Sequence, residues 1–556
     1  MLANNPENLW NGISDRWVYA VILFLGILFF YPSLHIDFLS DNIRHILSAR
    51  DELGNLRARY YRPVVVGTLW LDFLIWGPRS MGYHLTNLIF HLINTLLVFH
   101  LGKQIFRQRW VASGAAFLFL LLPIHGISIF WISGRTDLIM TTFYLLSLLT
   151  FIQWHEEKRP FLRAISLLAF GLALLSKEMA VSLPMVLVGF LLLQADRPLG
   201  AFRSALIRTA PYWGLLGAFF AFRIAMVGKM AVVNPEHAVL NPVAWGKHLA
   251  IYFGLLVIPG FHREIAEVFG RYPALLAVAT MGSLGVLLWL VRTFYRDRQM
   301  LFALGFLLLT LLPVIRLVMR WYLYLPSVGF CLLVARVIWK ILQSRRRWLF
   351  GVALALVVIV YAGFLHAEQS RWISAGQLAQ DFSDAVCQLV TTRQLPGVLF
   401  TYVPAELQEV PVFMYGMLKY LNFKLKYVFH HPDTIRVGIL SHLSMQHPIA
   451  FPWLNYSPDV PDRLSLTVRP GEAFFIFPAN RDIWTGKRHP VIGDWVNDDY
   501  GRVKIQQLDE LGRVTAVQIR ITDLTLPLVH WDGGAMRLLR PALRDNGLSG
   551  TKKNRN

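Results

Sequence analysis

Residues 17–32 read WVYAVILFLGILFFYP, and residues 33–62 read SLHIDFLSDNIRHILSARDELGNLRARYYR. The step between them decides the fold. The first stretch carries no charge and approaches the roughly 20 apolar residues that a helix needs to cross a bilayer. The second holds four carboxylates (Asp37, Asp41, Asp51, Glu52) and five arginines. The apolar core Val18–Tyr31 is followed by no small-residue cleavage site, so it reads as a retained span rather than a signal peptide. An apolar span followed by a charged loop implies a chain threaded through a membrane.

Working outward, similar apolar runs recur up to residue 366. They predict spans at 17–32, 83–101, 111–124, 137–153, 162–176, 179–194, 209–227, 274–291, 300–315, 322–340 and 348–366, about eleven in all. Backbone in lipid must satisfy its own hydrogen bonds, so the spans should be α-helices. The segment 246–260 is apolar but short, with Trp245, His248 and Tyr252 near or on it, and reads as an interfacial or re-entrant helix. Composition agrees. Of 556 residues 55% are hydrophobic and 16% charged, and the mean hydropathy is +0.46, whereas a soluble domain carries about 25% charged residues.

The net charge of +20 is unevenly placed. Residues 367–556 hold 21 Lys and Arg against 18 Asp and Glu, which leaves 33 against 16 for residues 1–366. The excess therefore belongs to the loops of the membrane part. It points to membrane topology and phosphate-bearing lipids, not to nucleic acid. Five cationic loops fall on one side if 246–260 does not cross: 103–109, 158–163, 197–208, 292–298 and 340–347. That side is expected to be cytoplasmic, with the N-terminus. The outer side would then hold loop 33–82, turn 125–136, Lys177–Glu178, region 228–273, Arg316–Arg320 and the whole tail. The two cysteines, Cys331 and Cys387, form no CxxC motif and no disulfide framework.

The tail changes character. Strand-like runs appear at 398–403, 434–440, 463–468, 473–477, 503–507 and 513–521, separated by turn signals such as Arg469-Pro470-Gly471. The chain is thus expected to be an α-helical polytopic membrane domain over 1–366, followed by a soluble extracytoplasmic α+β domain over 367–556.

The candidate chemistry lies at the outer ends of the spans. Asp41 follows the first span. His84 and Asn87 open the second, and His125, Arg135 and Asp137 lie between the third and fourth. Lys177 and Glu178 lie between the fifth and sixth, and Arg316, Arg320, Tyr322 and Tyr324 between the ninth and tenth. Ionisable groups at membrane depth are costly, so gathering them at one face hints at function. Each also has a plainer reading. His84, Asn87, His91 and Asn94 recur on one helical face and could serve interhelical hydrogen bonds. Arg135 could pair with Asp137, Lys177 and Glu178 could anchor a short turn, and Asp51 and Glu52 could pair with nearby arginines. Arg316 and Arg320, four apart, would share a helical face and repel unless an anion such as phosphate lay between them.

Four blocks carry a resemblance. Tyr61-Arg62-Pro63 is followed by Tyr83-His84-Leu85-Thr86-Asn87 with His91 and Asn94. Then come Trp131-Ile132-Ser133-Gly134-Arg135-Thr136-Asp137-Leu138, Leu175-Ser176-Lys177-Glu178, and Tyr322-Leu323-Tyr324-Leu325-Pro326-Ser327-Val328-Gly329. In order and spacing over about residues 17–345 they resemble GT-C superfamily membrane glycosyltransferases, in particular the transmembrane part of TMTC-type O-mannosyltransferases and their bacterial homologues. The resemblance implies about eleven helices, an active site on the outer face and a polyprenyl-phosphate-linked sugar donor. It also implies an acidic residue of the first outer loop, matched by Asp41, as the base. Three positions depart from the family pattern. Ser40 stands at the first acidic position of a pair, Ile127 replaces a Glu two residues after His125, and Arg320-Trp321 replaces Glu-Arg. Their loss argues against a divalent metal, and no other cofactor is expected. The tetratricopeptide tail of the TMTC-type proteins is absent, so their protein acceptor is not carried over.

The resemblance then implies one mechanism. Asp41 takes the proton of an acceptor hydroxyl. Arg316, Arg320, Lys177 and Arg135 meet the departing lipid phosphate, and His84, Asn87, His125, Asp137, Glu178, Tyr322 and Tyr324 shape the substrate site. Partners would be the lipid-linked donor, a glycan, lipid or protein acceptor, and the bilayer, expected to be a bacterial inner membrane. Two rival classes remain. A transporter or flippase of lipid-linked sugars would show a polar path through the membrane and internal repeats. A catalytically inactive homologue would leave surface glycans unchanged when deleted.

Overall fold

The computed structural model describes most of residues 14–258 outside 55–60 and 228–241, scattered positions from 272 to 291, most of 292–342, and 347–541 with gaps of which 476–491 is the longest. By their contacts these residues form two units. One is the chain up to His35 together with Ser48–Ser370, and the other is Ile36–Leu47 together with the chain from Arg371 onward.

The first unit is a bundle of apolar helices. They are α1 (Asp15–Phe30), the end of α2 (Asn42–Gly54), α3 (Pro63–Trp76), α4 (Ser80–Phe106), α5 (Arg109–Leu121), α6 (Gly126–Phe130), α7 (Arg135–Glu157), α8 (Pro160–Leu174), α9 (Leu183–Gln194), α10 (Pro198–Val227), α11 (Pro242–Val257), α12 (Arg298–Leu311), α13 (Pro326–Leu342) and the first part of α14 (Arg347–Arg393). Helix α1 buries Val18, Ile22, Gly26 and Phe30, one residue per turn, and leaves Phe24, Ile27 and Leu28 exposed. Such a stripe marks a peripheral helix whose other faces suit lipid. In the most apolar window of Asp15–His35 28% is buried, against 72% for Ile132–Glu157, so α7 is central. Between helices in lipid, close packing replaces the hydrophobic drive. Gly102 permits this, because a Cβ there would come within 2.8 Å of Ala112 Cα on α5.

This is an integral membrane protein by its apolar helices. Five of the described helices are long and apolar enough to cross, six if the pair Arg109–Leu121 and Pro123–Phe130, bent by 48°, is one span. The eleven expected spans are therefore not all full-length helices. Prolines divide several of them, since Pro lacks the N–H that continues a helix. Pro123, Pro184 and Pro313 each sit at the start of a helical piece or a 3-10 turn. The span expected at 274–291 lies largely outside the described residues. Residues 33–82 are no simple loop, since they hold α2 and the apolar α3.

The second unit combines the rest of α14, α15 (Met417–Tyr427) and thirteen described strands: β1 (Gly397–Phe400), β2 (Val403–Leu407), β3 (Val410–Pro411), β4 (Arg436–Ile439), β5 (His442–Met445), β6 (Trp453–Tyr456), β7 (Arg463–Thr467), β8 (Ala473–Phe475), β9 (Trp495–Asp498), β10 (Gly501–Leu508), β11 (Val514–Ile521), β12 (Leu528–Trp531) and β13 (Met536–Arg540). One sheet runs β13-β12-β1-β4, with β1 parallel to both β12 and β4. The other runs β3-β2-β5-β8-β11-β10-β9, with β7 on β11 and β6 on β7. Phe382 of α14 packs its ring 5.4 Å from Phe400 and 5.1 Å from Trp531, which seats the helix on the smaller sheet. All six expected strand runs overlap observed strands. The missed β2 and β12 are buried at every position, so they lack the alternation that marks a half-exposed strand.

His530 on β12 accounts for one pH dependence. It is buried, its Nδ1 lies 2.8 Å from Thr401 Oγ1, and burial pushes its imidazole down to about 4, with Asp532 opposing. The folded protein therefore resists protonating a group that the unfolded chain protonates near 6.5. This contribution is complete above that pH and falls as pH drops toward 4, by about 3 kcal/mol at most. His530→Gln should lower the thermal midpoint at pH 7.5 and lower it much less at pH 5, read as paired melting curves of the detergent-solubilised protein.

Candidate active site

Pro63 begins α3 and leaves Arg62 at its N-cap. Arg62 Nη2 reaches Glu178 Oε2 at 2.8 Å. Glu178 opens a 3-10 turn, Glu178–Ser182, after α8 has ended, and its Oε1 accepts from Arg223 Nη1 of α10 at 3.2 Å. The neighbouring Lys177 has an extended backbone and turns the other way. Its Nζ donates to Asp137 Oδ1 on α7 at 2.6 Å and lies 5.1 Å from the centroid of the Tyr322 ring. Five charged side chains from distant parts of the chain thus meet, three cations against two carboxylates. Lys177 and Asp137 are almost fully buried, while the side chains of Arg62 and Glu178 remain 20% and 24% exposed. Buried charges persist only when paired and hydrogen-bonded. The guanidinium of Arg62 at this partly open edge can meet an anionic ligand.

Arg135 has another partner than the one the sequence suggests. It does not pair with Asp137. It is fully buried, with Nη2 2.6 Å from Asp72 Oδ2 on α3, and it donates to Asn87 Oδ1 and the Tyr83 carbonyl, each at 2.8 Å. Thr86 donates to the other Asp72 oxygen at 2.8 Å. The guanidinium is thereby committed to joining α3, α4 and α7.

The polar face of α4 has a backbone duty. Helices α5, α6 and α7 are separated by breaks at 122–125 and 131–134, and side chains of α4 hydrogen-bond backbone carbonyls on the pieces around these breaks. Asn87 donates to the carbonyls of Ile129 and Trp131 at 3.2 Å each, His91 Nε2 to that of Leu120 at 3.0 Å, and Asn94 to that of Leu138 at 2.9 Å. Broken helices survive at membrane depth only with such partners. Tyr324 is fully buried in the same network, 2.8 Å from His91 Nδ1 and 3.2 Å from Asn94 Nδ2. His125 lies 2.8 Å from Ser327 Oγ and is fully buried, and His84 is buried on α4. Tyr322, by contrast, reaches the charged cluster.

Arg316 and Arg320 do not share a helical face. Helix α12 ends at Leu311, and the chain passes through Leu312–Val314 and an irregular stretch before a 3-10 turn at Arg320–Leu323. Tyr252 and His248 of α11 hold that stretch, the tyrosine hydroxyl donating to Leu317 O and the imidazole to Ile315 O at 2.7 Å each. Arg316 is exposed, with no ion pair among the described residues. Arg320 pairs with Glu368 Oε1 at 3.0 Å. Gly126 makes room for that glutamate, since a Cβ would come within 2.8 Å of Glu368 Cγ. A carboxylate supplied by α14 therefore sits against Gly126.

In the second unit, Asp41 precedes α2, and its Oδ2 lies 3.0 Å from His45 Nε2, with 18% of the side chain exposed. Asp37 is buried. Its Oδ2 accepts from the Tyr420 hydroxyl at 3.0 Å, and burial raises its carboxyl pKa, with Lys424 opposing. Among the described residues no three His, Cys, Asp or Glu side chains come together as a metal site. The side chains of Asp51 and Glu52 lie outside the described residues.

Asp72 and Arg223 were not singled out in the sequence. Each is the lone charge in an apolar stretch, TLWLDFLIW (68–76) and YWGLLGAFFAFRIAMV (212–227), and an isolated charge inside a span is itself a signal.

Residues 62–227 match the family model described as Dolichyl-phosphate-mannose-protein mannosyltransferase. The match begins at Arg62 and closes just past Arg223, so it encloses all five charged members of the cluster. A protein O-mannosyl-transferase of Caenorhabditis elegans is 36% identical over 121 residues, 21% of this chain and 17% of that protein. Protein O-mannosyl-transferase Tmtc1 of Drosophila melanogaster is 29% identical over 191 residues, 31% of this chain and 21% of that protein. The matched stretch thus spans only about a fifth of these relatives. Among solved structures, ArnT from Cupriavidus metallidurans bound to undecaprenyl phosphate aligns at TM-score 0.43 and 12% identity, covering 76% of this chain and 86% of that one. The Archaeoglobus fulgidus oligosaccharyltransferase aligns at TM-score 0.43 and 11% identity, covering 78% and 65%. Over its N-terminal part the chain resembles integral membrane glycosyltransferases of the GT-C superfamily, and among them the O-mannosyltransferases of the TMTC type.

Proposed function

We propose that the protein transfers a glycosyl group from a polyprenyl-phosphate-linked donor to a hydroxyl acceptor on a glycan, lipid or protein, at the outer face of the plasma membrane. The carrying observation is the cluster of Arg62, Lys177 and Arg223 against Asp137 and Glu178, enclosed by the segment that matches a mannosyltransferase family. The relatives' names support mannose as the first sugar to try. The acceptor oxygen gives its proton to the Asp41 carboxylate and bonds to the anomeric carbon. The bond from that carbon to the phosphate oxygen breaks, and its electron pair leaves with the lipid phosphate. Arg62, Lys177 and Arg223 meet the charge that develops there, and the exposed Arg316 offers a further cation. The sugar passes through an oxocarbenium-like state, and a single displacement inverts the anomeric centre. In this reading residues 367–556 are extracytoplasmic and the N-terminus is cytoplasmic.

Arg62→Gln tests the cluster. It should raise the donor KM about 10-fold in proteoliposomes supplied with polyprenyl-phosphate mannose, as expected for loss of a charge-assisted contact to phosphate. An unchanged KM removes the cluster as the donor site. Passage of the intact lipid-linked sugar without release of polyprenyl phosphate would favour the flippase.

A further inference from the structure

Residues 36–47 lie between α1 and the end of α2 in the chain, yet their contacts are with the C-terminal unit. Three contacts with that unit secure them, and a fourth lies within the segment. The Tyr420 hydroxyl of α15 donates to Asp37 Oδ2 at 3.0 Å, and the Phe38 backbone N–H donates to Asp37 Oδ1 at 2.6 Å. The Phe38 ring meets Phe423 of α15 edge-on, with centroids 5.9 Å apart. The Ser40 N–H donates to the Val412 carbonyl at 2.6 Å. Gly416, at φ +87°, lies against the same turn, where a Cβ would come 3.2 Å from Ser40 O and 3.7 Å from Asp41 Cα. The site accepts glycine because the backbone is left-handed and the approach is close. Ser40 itself holds φ +52°, a strained conformation for a residue with a Cβ, directly before Asp41. Such strain persists only where the surroundings impose it.

The geometry points to a role for the C-terminal unit: it positions the acidic loop, with Tyr420 acting through Asp37 and Gly416 acting through Ser40 to set the place of the Asp41 carboxylate. Tyr420 and Gly416 are positioning residues and touch no reacting atom. Lys424 braces the same helix, its Nζ 2.8 Å from both Asp384 Oδ1 and Ser383 Oγ of α14. This inference rests on the assignment of Asp41 as the base. Placement matters because a shift of about 1 Å in a reacting group can cost 100-fold.

The test compares Tyr420→Phe, Gly416→Ala, Asp41→Asn and Leu418→Ala in proteoliposomes with polyprenyl-phosphate mannose, reading kcat and donor KM separately. Leu418, exposed on α15, is the control and should behave as wild type. Tyr420→Phe keeps the ring and removes one hydroxyl. It and Gly416→Ala should lower kcat 10- to 100-fold with donor KM within about twofold. If Gly416→Ala does not accumulate, Tyr420→Phe decides alone. Wild-type kcat in Tyr420→Phe, or a KM that rises as kcat falls, overturns the inference while an inactive Asp41→Asn leaves the base in place. Full activity of Asp41→Asn removes the base and this inference together.

Discussion

Asp41→Asn should lower the turnover of transfer from polyprenyl-phosphate mannose by about 10²- to 10⁴-fold, the range a positioned general base contributes. The substitution is nearly isosteric. An amide oxygen can still accept from His45, whose Nε2 lies 3.0 Å from Asp41 Oδ2, so the local turn should survive. What is lost is a carboxylate able to hold the acceptor's proton. Donor KM should move little, because the cations assigned to the phosphate, Arg62, Lys177 and Arg223, are held in place by Glu178 and Asp137. A fall in kcat at constant KM is the signature of an interaction made in the transition state. Retained turnover in a folded Asp41→Asn protein would eliminate Asp41 as the base.

The largest expected effect on stability belongs to Asp72→Ala. The Arg135 side chain is fully buried and that of Asp72 is 6% exposed, with 2.6 Å between Nη2 and Oδ2. Removing one member of such a pair strands the other charge at membrane depth, which typically costs 3–5 kcal/mol. Replacing both, as Asp72→Leu with Arg135→Met, removes the stranded charge and should recover most of the loss. Denaturant titration in detergent, scored as a double-mutant cycle, measures this. A single-variant loss below about 1 kcal/mol would show that the pair carries no such burden.

Much of this was legible in the chain itself. The apolar runs place most of the membrane helices, because a backbone in lipid has few alternatives to the helix. The motif blocks bring Arg62, Asp137, Lys177 and Glu178 into view. The hydrogen-bonding reading of His91, Asn87 and Asn94 was also available from their spacing. Pairing was not. Arg135 lies two residues from Asp137 but is bonded to Asp72, 63 positions away in the numbering, and Asp137 is bonded to Lys177. Arg316 and Arg320 looked like one helical face until Pro313 and the broken stretch after it set them apart.

The sequence by itself therefore determined that the chain is a membrane bundle with a strand-rich tail, since composition and periodicity are local properties that each segment states alone. Which charge neutralises which, and that residues 36–47 pack with the C-terminal unit, were decided only by the tertiary structure. A buried charge takes whichever opposite charge the packing of distant helices brings within about 3 Å, and no local pattern encodes that choice.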